Sequence, residues 1–173
     1  MLSSMKTILI ALVSSFSAGL LALGVGDTAP IFTLKDQDSQ SFTLAPNKNK
    51  TWTVLFFYPK ANTPGCTKQA CAFRDSIKVI ENENAVVYGI STSSVADIKK
   101  FQDKHQLNFK LLSDKDGKAS KAYGAKYPVV NIARRYTFIL DSNLIIRHIE
   151  KDVDPVSDAK RVAKKIQELA KRP

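Results

Sequence analysis

The chain has only two cysteines, and they lie five residues apart in the stretch FFYPKANTPGCTKQACAFRD, residues 56–75. An apolar run, Val54 to Tyr58, enters this stretch and reads as a buried strand. Pro59 ends the strand, because proline cannot donate to a ladder. A polar turn follows, with Asn62, Pro64 and Gly65. Then Ala70, Phe73, Ile77 and Ile80 recur at steps of three and four, the spacing of one helix face. Cys66 is therefore expected in the first turn of a helix, just past the end of a central strand. That turn has unpaired amide N–H groups and a partial positive charge, which favour the nucleophilic thiolate form of a cysteine. No acidic side chain lies between Tyr58 and Arg74, whereas Lys60, Lys68 and Arg74 add positive charge.

Cys71 lies beyond reach of Cys66 in an intact helix. Five residues rise ~7.5 Å, and the sideways offset puts the two Cα atoms roughly 8–9 Å apart. A disulfide needs less than about 7 Å. The pair can close only if the first turn unwinds, which suits a switching redox pair and makes a poor permanent staple. The plain alternative, a structural disulfide in an exported protein, rests on cysteine count and compartment alone.

The elements that must hold this stretch lie on both sides of it. Ile31–Leu34 and Gln40–Leu44 read as short strands around a polar turn at Asp36–Ser39. Asn47–Lys50 is a polar connection. Trp52–Tyr58 is the first central strand and Gly65 to about Asn82 the first long helix. Ala85–Ser91 is apolar enough to be buried on both faces. Ser94 caps a helix running to about His105, with Val95, Ile98 and Phe101 on its apolar side. Phe109–Leu112 is a short strand, Lys118–Tyr123 a short helix, and Gly124–Asn131 a loop. Arg135–Leu140 and Leu144–Glu150 form a hairpin across Asp141–Asn143. Asp154 and Pro155 signal the start of a last helix. The pattern is α/β, a central mixed sheet flanked by helices.

At 173 residues the chain supports one domain with a proper core. Two cysteines exclude a disulfide scaffold, and the two histidines, His105 and His148, lie far from them, so no metal or cofactor is expected. The formal charge of +10 is concentrated late, at Lys160, Arg161, Lys164, Lys165, Lys171 and Arg172. Val162, Ile166 and Leu169 share the opposite face, giving an amphipathic helix with a solvated basic side. No aromatic residue is interleaved there, which argues against nucleic acid.

Met1–Lys6 carries one basic side chain and Thr7–Val25 carries no charge. Small residues follow the apolar stretch. Residues 1–24 read as a secretory signal peptide with its cleavage site open, or as an uncleaved anchor. Residues 25–173 are the folded domain. Both readings place it outside the cytoplasm, in a periplasmic space, or anchored and facing outward. No stable membrane partner is expected unless the segment is retained.

These motifs together resemble the peroxiredoxins of the bacterioferritin comigratory protein, or peroxiredoxin Q, group. The resemblance spans about residues 25 to 170. Its most specific match is Pro59-x-x-x-Thr63-x-x-Cys66, with Cys71 marking the subgroup; VGDTAPIFTL, YGIST, LLSDKDG and RYTFILD also match. The resemblance implies a thioredoxin-like fold and an antioxidant, thiol-dependent reduction of hydrogen peroxide and organic hydroperoxides. Cys66 would be the peroxidatic cysteine and Cys71 the resolving one, closing an intramolecular disulfide. Thr63, Pro59 and Arg135 match the other active-site positions, with Arg74 and Arg134 as candidate assistants. A thioredoxin-like dithiol would recycle the enzyme, as a monomer or weak homodimer. Two rival functions fit less well. A protein thiol–disulfide oxidoreductase usually separates its cysteines by two residues. A copper-binding module would want a histidine beside them.

Overall fold

The computed structural model describes residues 23–46 and 51–171. The signal-like segment, apart from its last residues, and the Asn47–Lys50 connection lie outside the described residues. Among the described residues, seven strands and four helices follow one another: β1 Thr33–Asp36, β2 Ser41–Thr43, β3 Trp52–Phe57, α1 Pro64–Asn82, β4 Ala85–Ser91, α2 Val95–His105, β5 Lys110–Ser113, α3 Lys118–Ala122, β6 Tyr136–Leu140, β7 Ile146–Glu150 and α4 Asp158–Ala170. One sheet carries all the strands in the order β2-β1-β5-β4-β3-β6-β7. The central β5-β4-β3 strands are parallel, and the outer pairings are antiparallel.

β3 lies near the middle and is buried on both faces, as its unbroken apolar run requires. Val54, Phe56 and Tyr58 point to the face covered by α1, α2 and α4. Leu55 and Phe57 point to the other, with Tyr123, Phe138 and Leu140. Phe56 stacks on Phe73 of α1 with ring centroids 4.6 Å apart and meets Phe109 edge-on at 5.6 Å. This stack seats α1 on the strand that leads into it.

Most boundaries agree with the sequence signals. Ser94 caps α2 by accepting a hydrogen bond from the Asp97 N–H at 3.2 Å, and β4 covers Ala85–Ser91. Three starts come two or more residues later than expected: β7 begins at Ile146 because Leu144 takes a positive φ of 62° in the preceding turn, and β1 and α4 are also late. β1 begins at Thr33 because Ile31 is exposed and residues 35 and 36 pair with β5. The Asp36 carboxylate then accepts the N–H groups of Asp38 and Gln40, at 3.0 and 2.9 Å, and closes the turn. α4 begins at Asp158 because Asp154 makes a separate turn, bonding the Ser157 hydroxyl at 2.6 Å and the Val156 N–H at 3.3 Å.

Gly89 shows how little slack the α1 face has. A Cβ there would lie 2.6 Å from Cζ of Phe56 and 2.8 Å from Cδ2 of Leu111. Overpacking of this kind costs about 1–3 kcal/mol. Gly89→Ala is therefore expected to lower the melting temperature by several degrees, as read by thermal unfolding; a variant melting with the wild type would show that the Phe56 ring can move aside.

Candidate active site

Cys66 is the third residue of α1 and is 1% exposed. The chain leaves β3 at Phe57, turns through residues 58–63 and enters α1 at Pro64. The Tyr58 N–H still bonds the Ile90 carbonyl at 2.9 Å, so the strand pairing holds to the lip of the turn. The Ala61 N–H donates to the Ser93 hydroxyl at 3.0 Å, and the Ser113 hydroxyl donates to the Ser93 carbonyl at 2.7 Å. These buried bonds tie the turn to the ends of the two neighbouring parallel strands.

Thr63 is the helix N-cap but makes no side-chain cap. Its hydroxyl donates instead to the Lys60 carbonyl at 3.0 Å. The first helical bond runs from the Thr67 N–H to the Thr63 carbonyl at 2.9 Å. The N–H groups of Gly65 and Cys66 thus precede the helical ladder at the positive end of α1. Pro59 is partly buried at the start of the turn.

A cation meets the sulfur from the next strand. Arg135 Nη2 donates to Cys66 Sγ at 3.4 Å, and Arg135 Nη1 donates to Gln69 Oε1 at 2.6 Å. Gln69 Nε2 donates to Asp158 Oδ2 at 2.7 Å, and the Thr137 hydroxyl donates to the same oxygen at 2.9 Å. Gln69, Thr137 and Asp158 are buried. Burial pushes the Asp158 carboxyl above the ordinary carboxylate range, and the bonds from Gln69 and Thr137 and the charge of Arg135 oppose that rise. Tyr58 lies near Cys66 and is buried, which pushes its phenol well up; the Ser91 hydroxyl acts the other way and Cys66 adds to the rise.

The other candidate side chains lie away from the sulfur. Arg134 turns away, with its guanidinium 4.9 Å from the centre of the Tyr127 ring and Nη1 bonded to the Tyr136 hydroxyl at 3.3 Å. Arg74 bonds Asp75 at 2.8 Å and the His105 carbonyl at 2.7 Å, so it ties α1 to the end of α2. Cys71 is partly buried in the unbroken helix, and both cysteines are free thiols. A polar pocket of about 310 Å³ opens beside Arg135, walled by Tyr127, Arg134, Tyr136 and Lys151 among others. A larger pocket, between β1 and α3, has neither cysteine nor Arg135 in its wall.

Gln69, Asp158 and Thr137 were not among the residues expected from sequence. A signal existed for two of them. Gln69 sits three after Cys66 and four before Phe73 on the apolar face of α1, and Asp158 sits four before Val162 on that of α4. A polar residue in a buried stripe needs a partner.

A mixed sheet with a helix-tip thiol under a guanidinium at the end of a central parallel strand defines a thiol protein of the thioredoxin fold. The chain belongs to the AhpC/TSA family, whose model matches residues 25–149. Among its relatives is the chloroplastic peroxiredoxin Q of Oryza sativa subsp. japonica, 42% identical over 125 residues, which cover 72% of this chain and 57% of that protein. The chain thus spans little more than half the length of that relative. A Coxiella burnetii protein bearing the name peroxiredoxin bcp is 39% identical over 132 residues, covering 73% of this chain and 87% of that one. The crystal structure of peroxidoxin BcpB from Mycobacterium tuberculosis superposes with a TM-score of 0.78 at 32% identity, over 86% of this chain and 98% of that chain.

Gly65 gives a test of the geometry. A Cβ there would lie 3.2 Å from Arg135 Nη2, and the guanidinium is already held by Gln69. Alanine is a better helix residue than glycine by roughly 0.5–1 kcal/mol. Gly65→Ala is expected to keep or raise thermal stability while slowing the reactions of Cys66 severalfold. Equal rates for variant and wild type would show that the guanidinium is not fixed.

Proposed function

We propose that this protein is a thiol-dependent peroxidase that reduces hydrogen peroxide and organic hydroperoxides. One observation carries the reading: the thiol at the tip of α1 is met at 3.4 Å by a guanidinium that is itself held in place. The Cys66 thiolate attacks one peroxide oxygen, the O–O bond breaks, and the other oxygen leaves as hydroxide or alkoxide and takes a proton. Negative charge spreads over the sulfur and both oxygens during that step. Arg135 and the N–H groups of the first turn meet it without reorganising, which is the efficient form of electrostatic catalysis. Pro59 shields the sulfur from bulk water, and the Thr63 hydroxyl, whose proton goes to the Lys60 carbonyl, is left to accept a hydrogen bond from the substrate hydroperoxide.

The product is a sulfenic acid on Cys66. Cys71 resolves it: the Cys71 sulfur displaces water, and an intramolecular disulfide forms. α1 must open for this, and its two halves differ in strength. The first turn has a glycine, no acidic residue and no side-chain cap. From Phe73 onward Phe73, Ile77 and Ile80 are buried, Arg74 is bonded to His105, and Asn108 Nδ2 donates to the Arg74 carbonyl at 3.2 Å. We place the opening in the part of the helix that carries the two cysteines, where the buried Cys66, Gln69 and Ala70 must give up their contacts as it unwinds. An external dithiol of the thioredoxin type then reduces the disulfide by exchange. The protein works as a monomer or weak homodimer.

The apolar, uncharged Thr7–Val25 stretch supports export, with residues 1–24 as leader or anchor and a periplasmic domain. Among the described residues no helix is long and apolar enough to cross a membrane.

Reduced protein mixed with one equivalent of hydrogen peroxide is expected to lose two hydrogens by intact mass, orders of magnitude faster than free cysteine is oxidised. Cys66→Ser should abolish the reaction. Cys71→Ser should stop at a sulfenic acid that a nucleophilic trap captures. A rate like that of free cysteine would reject the reading.

A further inference from the structure

We propose that Asp158 is the positioning residue of this site: its buried carboxylate fixes the Gln69 amide, and the amide fixes Arg135 over Cys66. The proposal rests on the reading of Cys66 as the sulfur that reacts with peroxide. Asp158 itself bonds neither the sulfur nor the guanidinium; its hydrogen bonds go to Gln69 and Thr137.

The direction of the chain is forced by its donors. A guanidinium has donors only, so the Gln69 atom that faces Arg135 must be the carbonyl oxygen, 2.6 Å away. That choice turns the Gln69 NH₂ group toward Asp158. The Thr137 hydroxyl brings a second proton to the same carboxylate oxygen. An oxygen receiving both must act as an acceptor. An acceptor at this end is therefore what keeps the amide from turning its NH₂ toward the cation. Rotated by half a turn, Gln69 would set donor against donor and push the guanidinium off its place.

The fold supplies a site for that acceptor. Asp158 is the first residue of α4, a helix of 13 residues, where the positive helix end favours a carboxylate. Gln69 is 0% exposed, Asp158 1% and Thr137 0%. Water is thus not at hand to satisfy Gln69 if Asp158 is removed. Gln69 and Asp158 are 89 residues apart in sequence, so their bond exists only in the folded packing of α1 against α4.

A purely structural tie between α1 and α4 would look similar, so the test must separate orientation from stability. The measurement is the rate of thiol loss on mixing each reduced variant with hydrogen peroxide, with circular dichroism melts to monitor folding. Asp158→Ala is expected to react about tenfold more slowly, the scale of one lost buried hydrogen bond to a charged group. Gln69→Glu is expected to slow the reaction at least as much, because it sets one carboxylate against another. Combining Gln69→Glu with Asp158→Asn should bring the rate back to within about threefold of wild type. In that pair the asparagine NH₂ donates to one oxygen of the new carboxylate, and the other oxygen of that carboxylate accepts from Arg135. Such a rescue comes from the donor and acceptor order and not from packing.

A folded Asp158→Ala variant reacting within about twofold of wild type overturns the proposal. So does a double variant no faster than Gln69→Glu alone, and this second comparison decides the matter if Asp158→Ala does not fold. Wild-type protein no faster than free cysteine would instead remove the reading of Cys66 on which the proposal stands.

Discussion

The antiparallel register of β6 on β3 is the constraint that sets the site. Phe57 pairs with Tyr136, so the chain leaving β3 and the chain entering β6 end at one level of the sheet. Cys66 is reached from the first and Arg135 from the second, which is how residues 69 apart in sequence come within 3.4 Å. Side-chain parity decides which of the two arginines serves. Thr137 and Ile139 face α1 and α4, and Phe138 and Leu140 face the opposite core. Arg135 shares the parity of the first pair, and Arg134 that of the second. A slip of one residue would reverse every side chain: Phe138 would leave its core, and Arg134 would replace Arg135 over the thiol. The apolar burial of β6 therefore protects the polar geometry.

α1 joins two opposed requirements. Its tip must hold Cys66 rigidly for charge to be met without delay, and in the proposed reaction the same tip must open for Cys71. The helix meets both by uneven anchoring along its length. Polar bonds at Cys66 and Gln69 hold the tip, while the Phe56–Phe73 stack and the Arg74–His105 bond hold the body of the helix. Apolar burial is hard to undo in part. A few directional bonds at a helix end can be exchanged when the sulfur's chemistry changes.

Much of this was legible in the residues. Periodicity marked the long helix, alternation and apolar runs marked the central strands, and the step from Pro59 to Cys66 placed the thiol at a helix tip. Ser94 and its bond to Asp97 show a local signal read correctly, because cap and helix lie within four residues. The errors at the starts of β1 and α4 are also local. Ile31 is apolar yet exposed ahead of β1, and Asp154 closes a turn of its own ahead of α4; apolar spacing reveals neither. The chain from Arg135 to Asp158 was illegible for another reason: its partners lie 66 and 89 residues apart, and their meeting depends on how α4 packs on α1. The buried stripe could flag Gln69 and Asp158 as needing partners but not say which.

That chain also bears on why polar groups lie in this core at all. Gln69, Thr137 and Asp158 sit where apolar side chains of similar size would pack, and replacing buried ionic groups by such residues often stabilises a protein. A connected polar network is tolerable only when each member is satisfied. Here each bond has a donor facing an acceptor, from the guanidinium through the amide to the carboxylate. What such a network provides that an apolar core does not is direction. It fixes the rotation of one guanidinium, and the same Gln69 bond closes the helix tip. In the proposed reaction, opening the tip would strip Asp158 of the Gln69 donor and leave a buried carboxylate with the Thr137 hydroxyl, an unfavourable state that the disulfide would have to outweigh. With both cysteines reduced nothing would outweigh it, and the tip would return to the closed form in which the guanidinium faces the thiol.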